Sequence, residues 1–282
     1  MTAPVNTAPG DRLPTHRVDC AHGAMSWCEA GAGPALVLLH GIGSGARSWQ
    51  GQLDAFAGTH RVIAWDAPGY GDSAPLPQAQ PLAADYALVL GDFLQRLGVQ
   101  TLSLVGHSLG ALMAAAWAAR PSANLRDLLL ASPARGYAGA AADVREAKFR
   151  DRVDMLQRLG VQGLAAQRAP HLCAPQASAA AVDQVRANMA RITPGGYAQA
   201  AWMLSNDDLA AHLARVTAPA AVVCGELDSV TPPAGCKRLA TDHGLPYTAL
   251  PGVGHVCYVE DPAQFNAALR AHLQRTERVV HE

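Results

Sequence analysis

The stretch "LSLVGHSLGALMAAAWAAR", Leu102 to Arg120, decides the fold. An apolar, strand-like run stops at a glycine, a serine stands between two glycines, and an alanine-rich helical pattern begins at once. Within it "GHSLG", Gly106 to Gly110, matches G-x-S-x-G in the strand–turn–helix setting that gives this motif its meaning. So tight a turn strains the backbone at Ser108, and the flanking positions must be almost free of side chains, which Gly106 and Gly110 are. The hydroxyl is then held at the carboxyl edge of a sheet, where open α/β sheets keep their ligand crevice. Alone, such a serine would more often be a helix N-cap.

A serine hydroxyl is a weak nucleophile until a base takes its proton, so a catalytic reading requires a histidine and an acid at later strand ends. Asp228 ends "AVVCGELD" and His255 ends "LPGVGH". Glu226 is an alternative acid, earlier in the same strand end. His107 adjoins the serine but points away from it, and His40 is expected to shape its loop through hydrogen bonds. No histidines are paired at metal-ligand spacing, and neither metal nor cofactor is expected.

Outward from this turn, strand-like runs alternate with helical ones, the sign of a mostly parallel sheet with helices on both faces. "HRVDCAHG" and "AMSWCEAG" read as an opening hairpin, followed by six strands: "ALVLLHG", "RVIAWDA", "TLSLVGH", "LRDLLLASP", "AAVVCGELD" and "YTALPGVGH". Helices fit Ala83 to Leu97, Leu109 to Ala119 and Pro262 to roughly Arg275. The alternation breaks between Arg135 and Arg215, where Ala, Arg and Gln dominate a helical pattern without a strand. Residues 135–215 are therefore read as a helical lid inserted into a core of residues 1–134 and 216–282.

The composition fits an ordinary globular protein. Half of the 282 residues are hydrophobic, and 22 basic against 23 acidic side chains leave a net charge of -1. No basic block is present, so nucleic acid and membranes are not expected partners; a small-molecule substrate is, and a homo-oligomer is compatible with this chain. Six dispersed cysteines without a CxxC pair, and a start, "MTAPVNTAPGDRLPTHR", without an export signal's basic and apolar regions, point to the cytoplasm.

A rival reading comes from "ALVLLHGIGSGARSW". Gly41, Gly43 and Ala46 fit the dinucleotide fingerprint G-x-G-x-x-A, and Asp66 ends the next strand near the place of a ribose-binding acid. Against it, the stretch after Ala46 reads as a poor helix, with Ser48, Gly51 and Gly58, and Asp66 runs into the turn "APGYGDS".

The elbow together with "LLHGIGSG" (Leu38 to Gly45), "WDAPGYGDS" (Trp65 to Ser73), "GELDSVTPP" (Gly225 to Pro233) and "GVGHVCYVEDP" (Gly252 to Pro262) resembles the α/β-hydrolase superfamily, over about Val18 to Leu273. The resemblance implies an eight-stranded, mostly parallel sheet flanked by helices, with Ser108 as nucleophile, His255 as base and Asp228 as the acid that fixes the imidazole. The order Ser, Asp, His is the one expected of that fold. It also implies an oxyanion hole of the backbone N–H groups of Ile42 and Leu109.

A serine nucleophile excludes relatives that work through a carboxylate, and acyl transfer to water remains. Arg191 to Gly235 resembles the corresponding part of 3-oxoadipate enol-lactonases, and "HGIGSGARSW" resembles the meta-cleavage carbon–carbon hydrolases. The expectation is a hydrolase of small carboxylic esters or lactones. The alternatives are a carbon–carbon hydrolase, a cofactor-free haloperoxidase or perhydrolase-like esterase, and a sensor that keeps the fold. His40, Arg47, Trp49 and Arg135 are the expected substrate contacts, the two arginines as candidates for holding a carboxylate.

Overall fold

The computed structural model describes residues 14–280; residues 1–13, on which the reading of the chain's start rests, and 281–282 lie outside the described residues. The chain opens with an antiparallel hairpin, β1 (Thr15–Cys20) and β2 (Gly23–Ala30), followed by β3 (Ala35–Leu39). A 3-10 turn, Ala46–Trp49, leads into α1 (Gln50–Phe56) and β4 (Arg61–Trp65). Then come α2 (Ala83–Arg96), β5 (Leu102–His107), α3 (Leu109–Ala118) and β6 (Leu125–Ala131). Four helices follow: α4 (Ala142–Leu172), α5 (Ala179–Met189), α6 (Pro194–Asn206) and α7 (Leu209–Leu213). The chain finishes with β7 (Ala220–Gly225), α8 (Pro233–Asp242), β8 (Tyr247–Leu250), α9 (Cys257–Glu260) and α10 (Pro262–Val280).

The eight strands form one sheet in the order β1-β2-β4-β3-β5-β6-β7-β8, with β2 antiparallel to both neighbours and every other pair parallel. The apolar runs of the parallel strands are buried on both faces, as helices on both sides require. Along β3, Val37 and Leu39 enter one core, while Leu36 and Leu38 enter the other. The first core is closed by Tyr86, Leu90 and Phe93 of α2 and by nearly all of α3; the second by Leu53 and Phe56 of α1 and by Phe265 and Leu269 of α10. Residues 83, 86, 87, 90, 93 and 94 are all buried, the spacing of one helix face. At its start the Asp85 carboxylate accepts the Leu82 N–H at 2.7 Å, which satisfies an otherwise orphaned donor.

Three elements differ from the sequence reading. The stretch after Ala46 does form a helix, because Ser48 Oγ donates to the Gly45 carbonyl (2.7 Å) and Trp49, Leu53 and Phe56 are buried. Gly51 lets α1 approach α10, since a Cβ there would come within 2.9 Å of Pro262. The last strand is shorter than read, ending at Leu250 before a turn that delivers His255. The last helix is longer, running on to Val280. Between β6 and β7 the segment is helical, with an isolated bridge from Gly136 to Asp208 as its β contact among the described residues. α4 is broken by a kink at Gly160 (φ 66°, ψ 173°) into two pieces.

Candidate active site

Strand β5 and helix α3 meet at Ser108, whose φ of 52° and ψ of -115° lie in a region that L residues rarely occupy. The packing explains both glycines. A Cβ on Gly106 would lie 2.5 Å from the Gly110 carbonyl oxygen, and one on Gly110 would collide with the Leu39 carbonyl. The strained turn therefore exists only because the chain is bare on either side of the serine, and it lifts the hydroxyl clear of the sheet.

Two later turns bring partners to it. Ser108 Oγ lies 3.0 Å from His255 Nε2, and His255 Nδ1 lies 2.9 Å from Asp228 Oδ2. An ionised carboxylate only accepts, so Nδ1 carries the proton and donates it, leaving Nε2 to accept from the serine hydroxyl. All three side chains are buried. Asp228 is held by a turn of its own sequence: Oδ1 accepts the Val230 and Thr231 N–H groups, each at 2.8 Å, and Oδ2 accepts the Thr231 hydroxyl at 2.7 Å. Burial alone raises this carboxyl. The His255 imidazole and the Thr231 donors outweigh it and hold Asp228 well below the usual carboxylate range. Glu226, the alternative acid, is exposed: β7 ends at Gly225, and the turn that follows sends Glu226 outward and Asp228 inward.

His107 sits behind the loop that carries the base. Its Nε2 donates to the His255 carbonyl at 2.9 Å, and its ring lies 4.9 Å from that of His255. Burial and the neighbouring His255 push His107 down to about 3, so it stays neutral. The end of α4 holds the same loop: the Leu172 carbonyl accepts the His255 N–H (3.0 Å) and the Val256 N–H (3.3 Å).

Ser108 and His255 open onto a cavity of about 730 Å³ between the sheet edge and the inserted helices. Ile42 lines it, and Leu109 begins α3 directly after the serine. Among the described residues neither of their backbone N–H groups donates to another backbone group, the condition an oxyanion hole needs. Arg135 lines the cavity at an exposed position.

The other three expected contacts lie elsewhere. His40 is buried beneath its loop, donating from Nδ1 to the Gly41 carbonyl (2.8 Å) and accepting the Ala67 N–H at Nε2 (3.0 Å). The 3-10 turn rolls Trp49 inward, where it stacks on Tyr258 at 4.0 Å with no exposed surface, and Arg47 outward, where it reaches the Thr15 hydroxyl at 3.2 Å. None of the three lines the cavity. Asp66 is likewise committed within the fold: Oδ1 accepts the Ala46 N–H and Oδ2 the Ser26 hydroxyl, each at 2.8 Å, which leaves no carboxylate for a ribose.

Sequence reasoning missed Thr231, Tyr258 and the cavity-lining side chains of α4. Thr231 had a signal, since an Asp followed by backbone donors two and three residues on is an Asx turn. Tyr258, one turn beyond His255, donates its hydroxyl to Ser48 Oγ at 3.0 Å and had none.

Known proteins resemble this chain in sequence and in fold. A putative carbamate hydrolase, RutD, of Escherichia coli is 28% identical over 257 residues, covering 84% of this chain and 88% of its own. An esterase from Thermogutta terrifontis superposes with a TM-score of 0.81 at 23% identity, over 93% of this chain and 99% of its own. The enol-lactonase of Burkholderia xenovorans superposes with a TM-score of 0.79 at 20% identity, over 92% and 100%. The family described as the alpha/beta hydrolase family matches residues 36–268. A match over so much of the chain, on a sheet of the order and elbow described above, means that this protein is a member of the alpha/beta hydrolase family.

Proposed function

We propose that the protein cleaves a small carboxylic ester or lactone through an acyl-enzyme on Ser108. The observation that carries this reading is the unbroken line of hydrogen bonds from Ser108 Oγ through His255 to Asp228. His255 Nε2 takes the hydroxyl proton as Oγ attacks the carbonyl, and Asp228 steadies the imidazolium that forms. The carbonyl oxygen becomes an oxyanion facing the N–H groups of Ile42 and Leu109. Collapse expels the alkoxide, which takes the proton from His255. Water, deprotonated by the same nitrogen, then attacks the acyl-enzyme and releases the acid.

The same steps serve a carbamate carbonyl, the bond named for the RutD relatives, so a carbamate belongs beside the esters in any substrate panel. The inserted helices act as a lid, and a cavity of this size suits a small substrate rather than a polymer. The six cysteines, all free and buried, support a cytoplasmic placement.

The test is covalent labelling by a fluorophosphonate together with hydrolysis of short neutral esters. Both should occur in the native protein and vanish in a folded Ser108→Ala variant. Ester turnover that survives in that variant overturns the mechanism, and a protein that labels but turns nothing over is a sensor. Turnover of a meta-cleavage dienoic acid alone moves the protein to the carbon–carbon hydrolases; turnover confined to peracid formation from acetate and peroxide moves it to the perhydrolases.

A further inference from the structure

The cavity above Ser108 carries an excess of positive charge that the hydrolytic steps do not use. Four basic side chains line it, Arg135, Lys148, Arg152 and Arg168, against two acidic ones, Asp151 and Asp208. Asp208 is occupied as the cap of α7, accepting the Ala210 N–H at 2.9 Å. Among the described residues none of the four cations is ion-paired with a carboxylate. Arg135 is exposed and Lys148, Arg152 and Arg168 are half-buried, so like charges are gathered around one cavity and an anion that joins them relieves their repulsion.

Their placement narrows the site. Gly160 breaks α4, so both of its halves can turn a face to the cavity. From the first half Lys148, Arg152 and Met155 share the i, i+4, i+7 face; from the second Arg168 and Leu172 stand at i, i+4. Leu172 is the residue whose carbonyl holds the His255 backbone, and Arg168 stands one turn, about 6 Å, back along that helix. Arg152 is fixed by donating from Nη1 to the Lys148 carbonyl and by lying 5.9 Å from the Tyr137 ring. Tyr197 lines the same cavity; burial raises its hydroxyl, and the charges of Arg152 and Arg168 act on it in the opposite sense.

We infer that the substrate carries a carboxylate of its own, held by Arg168 and Arg152 in the cavity that Tyr197 also lines, while Ser108 attacks the ester or lactone carbonyl. This rests on the hydrolytic reading above. A planar guanidinium takes a carboxylate through two parallel hydrogen bonds, which fixes the substrate's orientation as well as its affinity.

The test separates the two ideas. Ethyl hydrogen glutarate and acetoxyacetate, with the carboxylate on the acyl and the alcohol side, are compared with neutral ethyl pentanoate. In the native protein at least one anionic ester should exceed the neutral one in kcat/KM by about tenfold or more. Arg168→Met and Arg152→Met should each raise KM for that ester by about 10- to 100-fold and leave ethyl pentanoate within about threefold. Arg150→Gln, a surface control paired with Glu146 on the same helix, should change neither.

Binding of glutarate to the Ser108→Ala protein, followed by calorimetry, needs no turnover. It should saturate, weaken with salt, and weaken about tenfold or more in the double variant Ser108→Ala/Arg168→Met. Neutral esters hydrolysed in a Ser108-dependent way, with no glutarate binding and no preference for either anionic ester, overturn the carboxylate site and leave the hydrolytic reading standing. Glutarate bound through Arg168, with ester turnover unaffected by Ser108→Ala, does the reverse.

Discussion

At the scale of single residues, Asp228 and His107 hold the two sides of His255 by opposite means. Asp228 stays charged because the Val230 and Thr231 N–H groups, the Thr231 hydroxyl, His255 Nδ1 and, more weakly, the Cys224 thiol donate to its two oxygens. On the proposed mechanism Asp228→Asn keeps the shape but favours the wrong tautomer of His255, and kcat should fall by a factor on the order of 10⁴. Thr231→Val removes the hydroxyl bond and keeps the backbone donor, so a loss of about tenfold in kcat with KM unchanged is expected. Equal losses from the two variants would mean that Thr231 does more than position the acid. His107 instead stays neutral. The unfolded chain protonates this histidine near the ordinary value of about 6.5, whereas the folded protein holds it down to about 3. Between those values the unfolded state binds the extra proton, so acidification destabilises the fold by up to about 1.4 kcal/mol per pH unit from this group. His40, lowered chiefly by burial, acts in the same sense. Denaturant titrations of native protein and His107→Gln, which keeps a donor for the His255 carbonyl, should show the variant losing less stability between pH 6.5 and 4. Parallel losses would remove His107 as a source of acid sensitivity.

At the scale of elements, the parts that could be read from the sequence are those whose cause is local. The elbow is one: its strained serine and bare neighbours are written into five consecutive residues. Gly106→Ala should destabilise the fold by about 1–3 kcal/mol, because the new methyl meets a carbonyl oxygen at 2.5 Å with only backbone to move; an unchanged denaturation midpoint would mean that the turn relaxes freely. α1 was misjudged because Ser48 and Gly51 weaken a helix in isolation, and the compensating burial of Trp49 against Tyr258 and the close approach of Pro262 come from residues two hundred positions away. The same distance hid the cavity wall. Nothing in the sequence separates Lys148, Arg152 and Arg168 from Arg150 and Arg158, which are exposed. What separates them is the direction of each half of α4, set by the break at Gly160 and by what the sheet edge offers to pack against. Arg47 and Trp49 were misplaced for a related reason: adjacent to the right loop, they are turned away from the cavity by one 3-10 turn.

At the scale of the whole molecule, the inserted helices and the sheet meet at the loop that carries His255. Three ties cross that boundary among the described residues. Gln176 Nε2 donates to the Gly252 carbonyl at 2.8 Å; the Leu172 carbonyl accepts from His255 and Val256; and the Glu260 carboxylate accepts the Ala174 N–H at 2.7 Å and the Gly254 N–H at 3.0 Å. A half-buried carboxylate between two backbone donors joins the residue before the histidine to the residue two past the end of α4. Burial raises the Glu260 carboxyl above its ordinary range in spite of these donors, so its charge is costly in the fold, and the donors it satisfies are what retain it. Glu260→Gln keeps an acceptor and sheds the charge, and its denaturation midpoint should stay close to that of the native protein at neutral pH. Glu260→Ala leaves the N–H groups of Gly254 and Ala174 without their acceptor, at a cost of about 1–3 kcal/mol for each donor that stays buried. Because Gly254 precedes His255 directly, the alanine variant should also lower kcat on a short neutral ester by about tenfold or more while KM moves little, since His255 is held less firmly against Ser108. Measuring kcat, KM and the denaturation midpoint on both variants separates the effects. A midpoint lowered in Glu260→Ala with kcat intact would confine Glu260 to holding the helices in place and would break the proposed link between lid and base.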